Sequence, residues 1–327
     1  MGLKSRMTLV LVFLGFVLCI LIERSGLLSA YILQISMYVG INIILTLSLN
    51  LVNGYMGEFS VGHAGFMAIG AYVSSIITVR VFHNQMGPFV FPLAVIVAGI
   101  VTAATSFVVA FPSFRTRGDY LAIVTLAFNM IVKSVLENID ALGGPRGFMG
   151  MGRLTNLVNV YAWCLVTIFV VRNLVYSNFG RAVLSIREDE VASNLVSVNT
   201  RQMKIMVFLI AAFFAGVAGA LFAHVMQFIN PRSFAIQKST DILVMVYLGG
   251  IGSIFGSVLG ATVYTVLLEL LRPLGVWRWV VGPIMLVILM ICRPTGIMGL
   301  KELTGLIPRE ERVLGKKEET DVVTASN

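Results

Sequence analysis

The chain has 327 residues, of which 57% are hydrophobic and 12% are charged, with a formal net charge of +8 and a mean hydropathy of +0.91. A soluble domain carries roughly 25% charged residues and could not bury this much apolar surface. The composition therefore excludes an ordinary cytosolic enzyme, a secreted disulfide scaffold and a disordered regulator, and it indicates a polytopic membrane protein.

The hydrophobic residues lie in long continuous runs. Such runs predict an all-α protein, because barrel strands would appear as short segments of alternating hydrophobicity. A helix needs about 20 mostly apolar residues to cross the hydrocarbon core, and about ten runs approach that length. The eighth is the shortest, so it is either a full span or a half-helix. The predicted spans are 7–22, 27–52, 60–82, 89–111, 119–138, 157–175, 204–228, 239–251, 252–271 and 277–292.

The positions of lysine and arginine predict the orientation of these spans. With the N-terminus in the cytoplasm, 15 of the 24 basic residues lie on the inner face, as the positive-inside rule requires. Both termini are then cytoplasmic, and the positive charge faces the cytoplasm and membrane lipid rather than nucleic acid. We expect a transmembrane domain over residues 1–300 and a charged cytoplasmic tail over 301–327. A signal peptide is the alternative for the basic start, but no A-x-A site follows it.

Motifs that would indicate an enzyme are absent from the sequence. It contains no G-x-x-x-x-G-K-[ST] phosphate loop, no H-E-x-x-H and no G-x-S-x-G. The three histidines and three cysteines are scattered, and neither set has the spacing of metal ligands. The sequence therefore predicts no catalytic site, no metal site and no cofactor.

Charged residues within the predicted spans lie near span ends. Asp119, Asp241 and Glu269 are interpreted as interfacial residues, and Lys133 and Glu137 are spaced to pair on one helix face. A proton-driven transporter would need a carboxylate relay deep in the membrane, and none is visible. We expect the energy for any transport to come from outside this chain.

Small residues recur at helical spacing in three of the predicted spans, one of which carries Ser60, Ala64 and Ala68. In lipid, such stripes let helix backbones approach closely and gain van der Waals contact. They are interpreted as packing contacts, with sliding during gating as the alternative. The glycines concerned are Gly252, Gly256 and Gly260 in one span and Gly216 and Gly219 in another.

Two glycine-rich stretches, 53–63 and 248–253, interrupt the apolar runs. Irregular backbone within a membrane is tolerated where protein or a water-filled cavity satisfies its polar groups, and transporters use such breaks to face their substrates. Simple turns at the membrane surface are the alternative. If the breaks line a pathway, its gate residues would be Ser60, Gly62, His63, Gly65, Gly249, Gly250 and Ser253.

One long polar stretch, 176–203, separates two predicted spans. On a helix over 187–195, Val191 and Leu195 would share an apolar side with Ile186, and the acidic residues would fall in the first turn. The segment is too polar to cross the membrane, and a helix that binds lipid would be more basic. We expect a cytoplasmic helix that fits a groove on a partner protein.

Five stretches resemble, in order, the sequence blocks of branched-chain amino acid ABC transporter permeases of the LivM type. Residues 47–72 resemble the "LNLV-G-G-S-GHA-F-GAY" signature, and residues 117–126 resemble the "RG-YLAI-TLA" block. Residues 143–147 are similar to a "TGG-G" loop. Residues 180–190 and 293–297 are similar to "GRA…AIREDE" and "RP-GI".

The resemblance implies the ABC importer fold, with about ten helices in the bacterial inner membrane. It implies a LivH-type second permease subunit, two ATP-binding cassette subunits of the LivG and LivF types that hydrolyse ATP, and a periplasmic protein that delivers leucine, isoleucine or valine. The chain itself would be a non-catalytic permease. The helix that couples it to the ATPase would include Arg187, Glu188, Asp189, Glu190 and Ala192.

Two positions depart from the family pattern. Ser197 stands where relatives usually have glycine, and Leu142 stands where they often have threonine. Permeases for urea or short amides share the same blocks, so they are the alternative within the family. Outside it, a secondary transporter acting alone would take up substrate without ATP, and a structural scaffold would transport nothing.

Overall fold

A computed structural model of the protein describes residues 15–23, 29–82, 90–115 and 120–277, and short groups at 280–281, 283–284, 287–288, 291 and 296–298. Helices dominate these ranges. The helices are α1 (15–23), α2 (Ala30–Asn50), α3 (His63–Ile76), α4 (Val90–Ser113), α5 (Tyr120–Asn138), α6 (Leu157–Val175), α7 (Asn178–Glu188), α8 (Glu190–Leu195), α9 (Thr200–Met226), α10 (Ile236–Gly249) and α11 (Ile254–Leu270).

Short elements complete or connect these helices. π-Helical turns extend α2 and α3. Two antiparallel strands of two residues each connect the loop that follows α5 to the loop that follows α9. The short elements are the π-helices Leu51–Tyr55 and Ile77–Val81, the 3₁₀ helices Asp140–Leu142, Gly144–Arg146, Pro231–Phe234 and Arg272–Trp277, and the strands β1 (Phe148–Met149) and β2 (Phe228–Ile229).

Six helices of the described chain are long and apolar enough to cross a membrane, and they confirm six of the ten predicted spans. α10 has 14 residues and is about 21 Å long, too short to cross the hydrocarbon core, so the predicted span 239–251 corresponds to a half-helix. α11 has 17 residues. The predicted spans 7–22 and 277–292 and the tail 301–327 lie wholly or largely outside the described residues. The six spans are Ala30–Tyr55, His63–Val81, Phe91–Ser113, Tyr120–Asn138, Leu157–Val175 and Thr200–Met226.

α9 lies at the centre of the fold, between α3 and α4. A Cβ atom on Gly219 would overlap the carbonyl oxygen of Met67 in α3, and one on Gly216 would overlap the Thr102 side chain in α4. Gly70 of α3 lies directly against Gly216. Helices in lipid associate through close packing, so these glycines allow the backbones to come into contact.

α10 and α11 form a hairpin whose backbones touch at Gly249, Gly256 and Gly260. The sequence predicted that Gly252 belongs to this stripe, but the structure shows that it does not. It lies in the turn before α11, with φ of 74°, and Ser253 caps the helix by accepting a hydrogen bond from the Gly256 N–H at 2.9 Å. A serine side chain satisfies an unpaired N–H of the first helical turn, so α11 begins after Gly252.

Replacing Gly219 with alanine should destabilise the protein by about 1–3 kcal/mol, the usual cost of an overpacked core, because the added methyl group meets backbone that cannot rotate away. Thermal unfolding of the purified protein in detergent measures this. Gly40→Ala is the matched control and should cost less, since its Cβ would meet a side-chain atom, Cγ1 of Val160, rather than backbone. Equal losses in the two variants would contradict the proposed packing.

Candidate functional site

A sharp bend at Asp189 divides the polar stretch 176–203 into two helices, so the prediction of one helix over 187–195 is wrong. Asp189 has an extended backbone, with φ of −156° and ψ of 110°. Its Oδ1 atom accepts hydrogen bonds from the N–H groups of Val191 at 2.8 Å and Ala192 at 3.0 Å. The carboxylate thus ends α7 and caps α8. We call residues 187–190 the α7–α8 elbow.

The apolar residues of this region face two directions rather than one side. Ile186 of α7 is buried in the core, whereas Val191, Leu195 and Val196 are 68%, 84% and 76% exposed. We call these three residues the apolar tip. Ser197 follows at φ of 64°, in the left-handed region that glycine favours at helix ends.

Arg187 attaches the elbow to the connection between α2 and α3, residues 51–62, which we call the α2–α3 junction. Its Nη1 atom donates to the carbonyl oxygen of Gly54 at 3.1 Å, and its Nη2 atom donates to Glu188 at 2.6 Å. Gly57, at φ of 78°, leaves room for the arginine stem, since a Cβ there would lie 2.5 Å from Arg187 Cγ.

Lys204 of α9 joins the elbow to the junction a second time. Its Nζ atom lies 2.6 Å from Oε1 of Glu58 in the junction and 2.8 Å from Oε2 of Glu190 in α8. The lysine side chain is 9% exposed, so its charge depends on the two carboxylates for compensation. Sequence reasoning missed this cluster, although Glu58 is the one acidic residue of the junction sequence.

The candidate gate residues Ser60, Gly62, His63 and Gly65 lie at the other end of the junction, where α3 begins. The imidazole Nε2 of His63 is 2.7 Å from Ser48 Oγ in α2, and both residues are buried. His63 therefore contributes a hydrogen bond between two helices at the point where the regular backbone resumes.

The start of α3 also touches α5 and α10. The N–H of Val61 donates to Thr125 Oγ1 at 3.1 Å, and the N–H of Ala64 donates to Ser239 Oγ at 3.1 Å. Gly62 and Gly65 permit this approach, because a Cβ on either would meet α5 backbone. Side chains of three helices thus surround the first turn of α3.

Three buried polar atoms of this region have no hydrogen-bond partner within the described chain: Ser60 Oγ, Asn129 Oδ1 and Asn53 Nδ2. Asn129 Oδ1 lies beside Gly65, at 3.3 Å from where a Cβ would be. Polar atoms that are buried and unpaired are costly, so this group retains the capacity to bond to water or to a polar solute.

The remaining gate candidates, Gly249, Gly250 and Ser253, lie in the α10–α11 turn. The Asn50 side chain of α2 holds this turn, donating to the Ser253 carbonyl at 3.0 Å and accepting from the Gly252 N–H at 2.9 Å. Both groups of candidates therefore contact α2, one near Ser48 and the other at Asn50, but they do not form one cluster.

A polar network that sequence reasoning missed crosses α2, α10 and α11. Lys238 donates to Asn42 Oδ1 at 3.2 Å, and Asn42 donates to Thr265 Oγ1 at 2.9 Å. Tyr264 donates to Asp241 Oδ1 at 2.7 Å, so this carboxylate has a partner within the protein. Asn42 lies 12 residues, or about 18 Å, along α2, which puts the amine of Lys238 near mid-span.

The other charged pairs lie where the sequence suggested. Lys133 and Glu137 pair at 3.8 Å on α5, as predicted. Glu269 accepts hydrogen bonds from Tyr31 and, at 3.0 Å, from Arg272, at the opposite end of α2 from the junction. Among the residues described, no three His, Cys, Asp or Glu side chains are placed to hold a metal ion.

Comparison with known families matches residues 31–292 to the branched-chain amino acid transport system, permease component. The chain is 34% identical over 293 residues to the high-affinity branched-chain amino acid transport system permease protein LivM of Escherichia coli K12, covering 79% of this chain and 68% of that protein. LivM of Salmonella typhimurium LT2 is 33% identical over 321 residues, covering 88% and 74%. LivH of E. coli K12 is 24% identical over 288 residues, covering 80% and 92%. No solved structure matches the chain.

Lys204→Met should lower the free energy of unfolding by about 3 kcal/mol, because it leaves two carboxylates facing each other without their cation. Adding Glu58→Gln and Glu190→Gln should recover part of the loss. Lys133→Met, which breaks a more exposed pair, should cost less than about 1 kcal/mol. Chemical denaturation in detergent measures all three. Failure of the glutamine changes to recover stability would refute the proposed charge balance.

Proposed function

This chain belongs to the permease family of branched-chain amino acid transport systems, and we propose that it is the pathway-forming subunit of an ATP-driven importer. Its cargo would be leucine, isoleucine or valine, as the names of its relatives indicate. Those names favour branched-chain amino acids over the alternative of urea or short amides.

The proposed partners follow from the same relationship. A LivH-type permease would complete the pathway, because the chain is related both to LivM and to LivH proteins. LivG- and LivF-type subunits would hydrolyse ATP on the cytoplasmic face, and a periplasmic binding protein would deliver the amino acid. We propose the bacterial inner membrane as the location, with both termini in the cytoplasm.

One observation carries the mechanism: the α7–α8 elbow is bonded to the α2–α3 junction at two places. Arg187 binds the Gly54 carbonyl, and Lys204 joins Glu58 to Glu190. A displacement of the elbow would therefore move the junction. The junction leads within a few residues to the start of α3, where the candidate gate residues lie.

The surface that would receive the ATPase is the apolar tip together with the exposed face of the elbow. The tip is a hydrophobic ridge on a helix flanked by charges, a shape that suits a groove on a partner. In this proposal Ala192, which is exposed, permits close approach, and Asp189 keeps the elbow bent. Glu188 and Glu190 would offer carboxylates to basic residues of the ATPase.

The pathway would run beside the start of α3 and the α10–α11 turn. Both places have glycine backbone and small polar side chains, so an amino acid could pass without being held tightly. The unpaired atoms of Ser60 and Asn129 would supply transient hydrogen bonds to its polar end. Opening would require the close glycine contacts at Gly62 and Gly65 to separate.

Charge reversal at the elbow should abolish ATP-driven uptake. In Arg187→Glu, the new carboxylate would face the Gly54 carbonyl, and in Glu190→Lys, two lysines would face one another. The assay is leucine uptake into vesicles containing the complete transporter, with membrane insertion checked separately. Arg172→Glu, a reversal at the end of α6, should retain uptake. Normal transport by both elbow variants would refute the coupling role.

Polar substitution of the apolar tip should uncouple the transporter without disturbing the Lys204 cluster. Val191→Ser and Leu195→Ser change side chains that are largely exposed, so folding should be retained. We expect the double variant to lose most of its binding to the ATPase subunits in a pull-down assay and most of its substrate-stimulated ATP hydrolysis. An equally stable variant with full ATPase binding would show that the docking surface lies elsewhere.

A further inference from the structure

Two arginines share one aromatic ring where α4 ends and α9 begins. The guanidinium carbon of Arg115 lies 4.5 Å from the centre of the Phe111 ring, and that of Arg201 lies 4.7 Å from the same point. Arg201 also donates to the Phe111 carbonyl oxygen at 3.2 Å. The ring stabilises each cation, and both guanidinium carbons lie within 4.7 Å of its centre.

An apolar groove of about 600 Å³ extends from Arg201 and the Phe111 ring along α4 and α9. Phe107 on α4 and Ile205, Met206 and Leu209 on α9 line it. From Arg201 to Leu209 the groove follows eight residues of α9, or about 12 Å. Both helices are candidate membrane spans, so a groove along them lies within the thickness of the membrane.

A polar cavity of about 320 Å³ lies on the other side of the same arginines. Ser113, Asn194 and Thr200 contribute polar side chains to its wall, beside Arg115 and Arg201. The arginine pair therefore lies between the apolar groove, which is within the membrane, and the polar cavity, which is at the membrane surface. A phospholipid has this same order of parts: acyl chain, phosphate and polar headgroup.

We propose that this surface is a binding site for an anionic glycerophospholipid. The phosphate lies between the two guanidiniums, one acyl chain occupies the groove, and the polar headgroup enters the cavity. Arginine binds phosphate through paired N–H donors, and basic pockets between membrane helices recognise anionic headgroups in this way.

The charges of the described residues favour an anion here. Lys204 is bonded to both Glu58 and Glu190, so this cluster carries one excess negative charge, whereas the ion pairs within 4.0 Å in the described ranges involve neither Arg115 nor Arg201. All five side chains line the polar cavity, and the two arginines leave its formal charge positive. The Nε atom of Arg201 is buried, with no hydrogen-bond partner among these residues. An anion that reaches both guanidiniums would balance their positive charge and lower the energy of the site.

The polar cavity also places the bound lipid beside the elbow, since Glu190 and Val191 line its wall. A headgroup there would contact the start of α8. Any effect of this contact on transport rests on the proposed function, whereas lipid binding itself does not. Transport and lipid binding are therefore measured in separate experiments.

The test is lipid selection by the purified transporter. The complex is exchanged into mixed micelles containing equal amounts of phosphatidylglycerol and phosphatidylcholine, and the retained lipids are identified by native mass spectrometry. We expect the wild type to retain phosphatidylglycerol several-fold more than phosphatidylcholine. The double variant Arg115→Gln, Arg201→Gln should lose this preference. Arg172→Gln, whose guanidinium lies 5.9 Å from the Tyr176 ring, is the matched control and should keep it.

Two further arms separate a lipid site from a general anion site. Leu209→Trp fills the groove but leaves the arginines in place, so it should reduce phosphatidylglycerol retention. Glycerophosphoglycerol, the headgroup without acyl chains, should compete poorly. Equal retention of the two lipids by the wild type, unchanged selection in the double arginine variant, or strong competition by the free headgroup would each overturn the proposal. Arg201→Lys keeps the positive charge and should retain partial selection for phosphatidylglycerol. Partial selection by this variant would show that the loss in the double variant does not come from a folding defect.

Discussion

The structure depends on a lysine that is surrounded by protein and bonded to two carboxylates. Lys204 is on the central helix α9, Glu58 is in an irregular connection, and Glu190 is on a short helix outside the bundle. Removing a charge from water is expensive, and attraction to opposite charges offsets that cost only when the geometry is close. The distances among the three charged groups are therefore restricted more tightly than hydrophobic contact would require. These groups fix the positions of the elbow, the junction and α9 relative to one another.

The irregular α2–α3 junction illustrates how a membrane protein can interrupt a helix. Backbone N–H and C=O groups in lipid must be satisfied internally, and a break leaves several without helical partners. Here side chains replace them: Thr125 of α5 accepts from Val61, Arg187 of α7 donates to Gly54, and Asn53 of the junction accepts from Ser60. Because two of these supports belong to different helices, relative movement of those helices would act directly on the break.

Hydropathy was sufficient to predict six spans that the structure confirms, because a continuous apolar run can be recognised without knowledge of its neighbours. The spacing of glycines predicted close contacts at Gly216, Gly256 and Gly260, because this pattern too can be recognised within a single helix. Local competition explains two errors: Asp189 and Ser253 cap helices, so the elbow bends and Gly252 falls in a turn. The clusters at Lys204 and Lys238 were missed because each includes a distant partner: Glu58 is 146 residues from Lys204, and Asn42 is 196 residues from Lys238. Nothing in a single sequence pairs residues so far apart.

The half-helix α10 has an electrostatic consequence. Its first turn, with Lys238 bonded to Asn42, lies near the middle of the membrane, and the N-terminal end of a helix carries roughly half a positive charge. Asp241 follows three residues later on the same helix, so the carboxylate bonded to Tyr264 opposes this positive charge. A pathway beside α10 would therefore present one group of each sign to a passing amino acid, whose ammonium and carboxylate carry the same two charges.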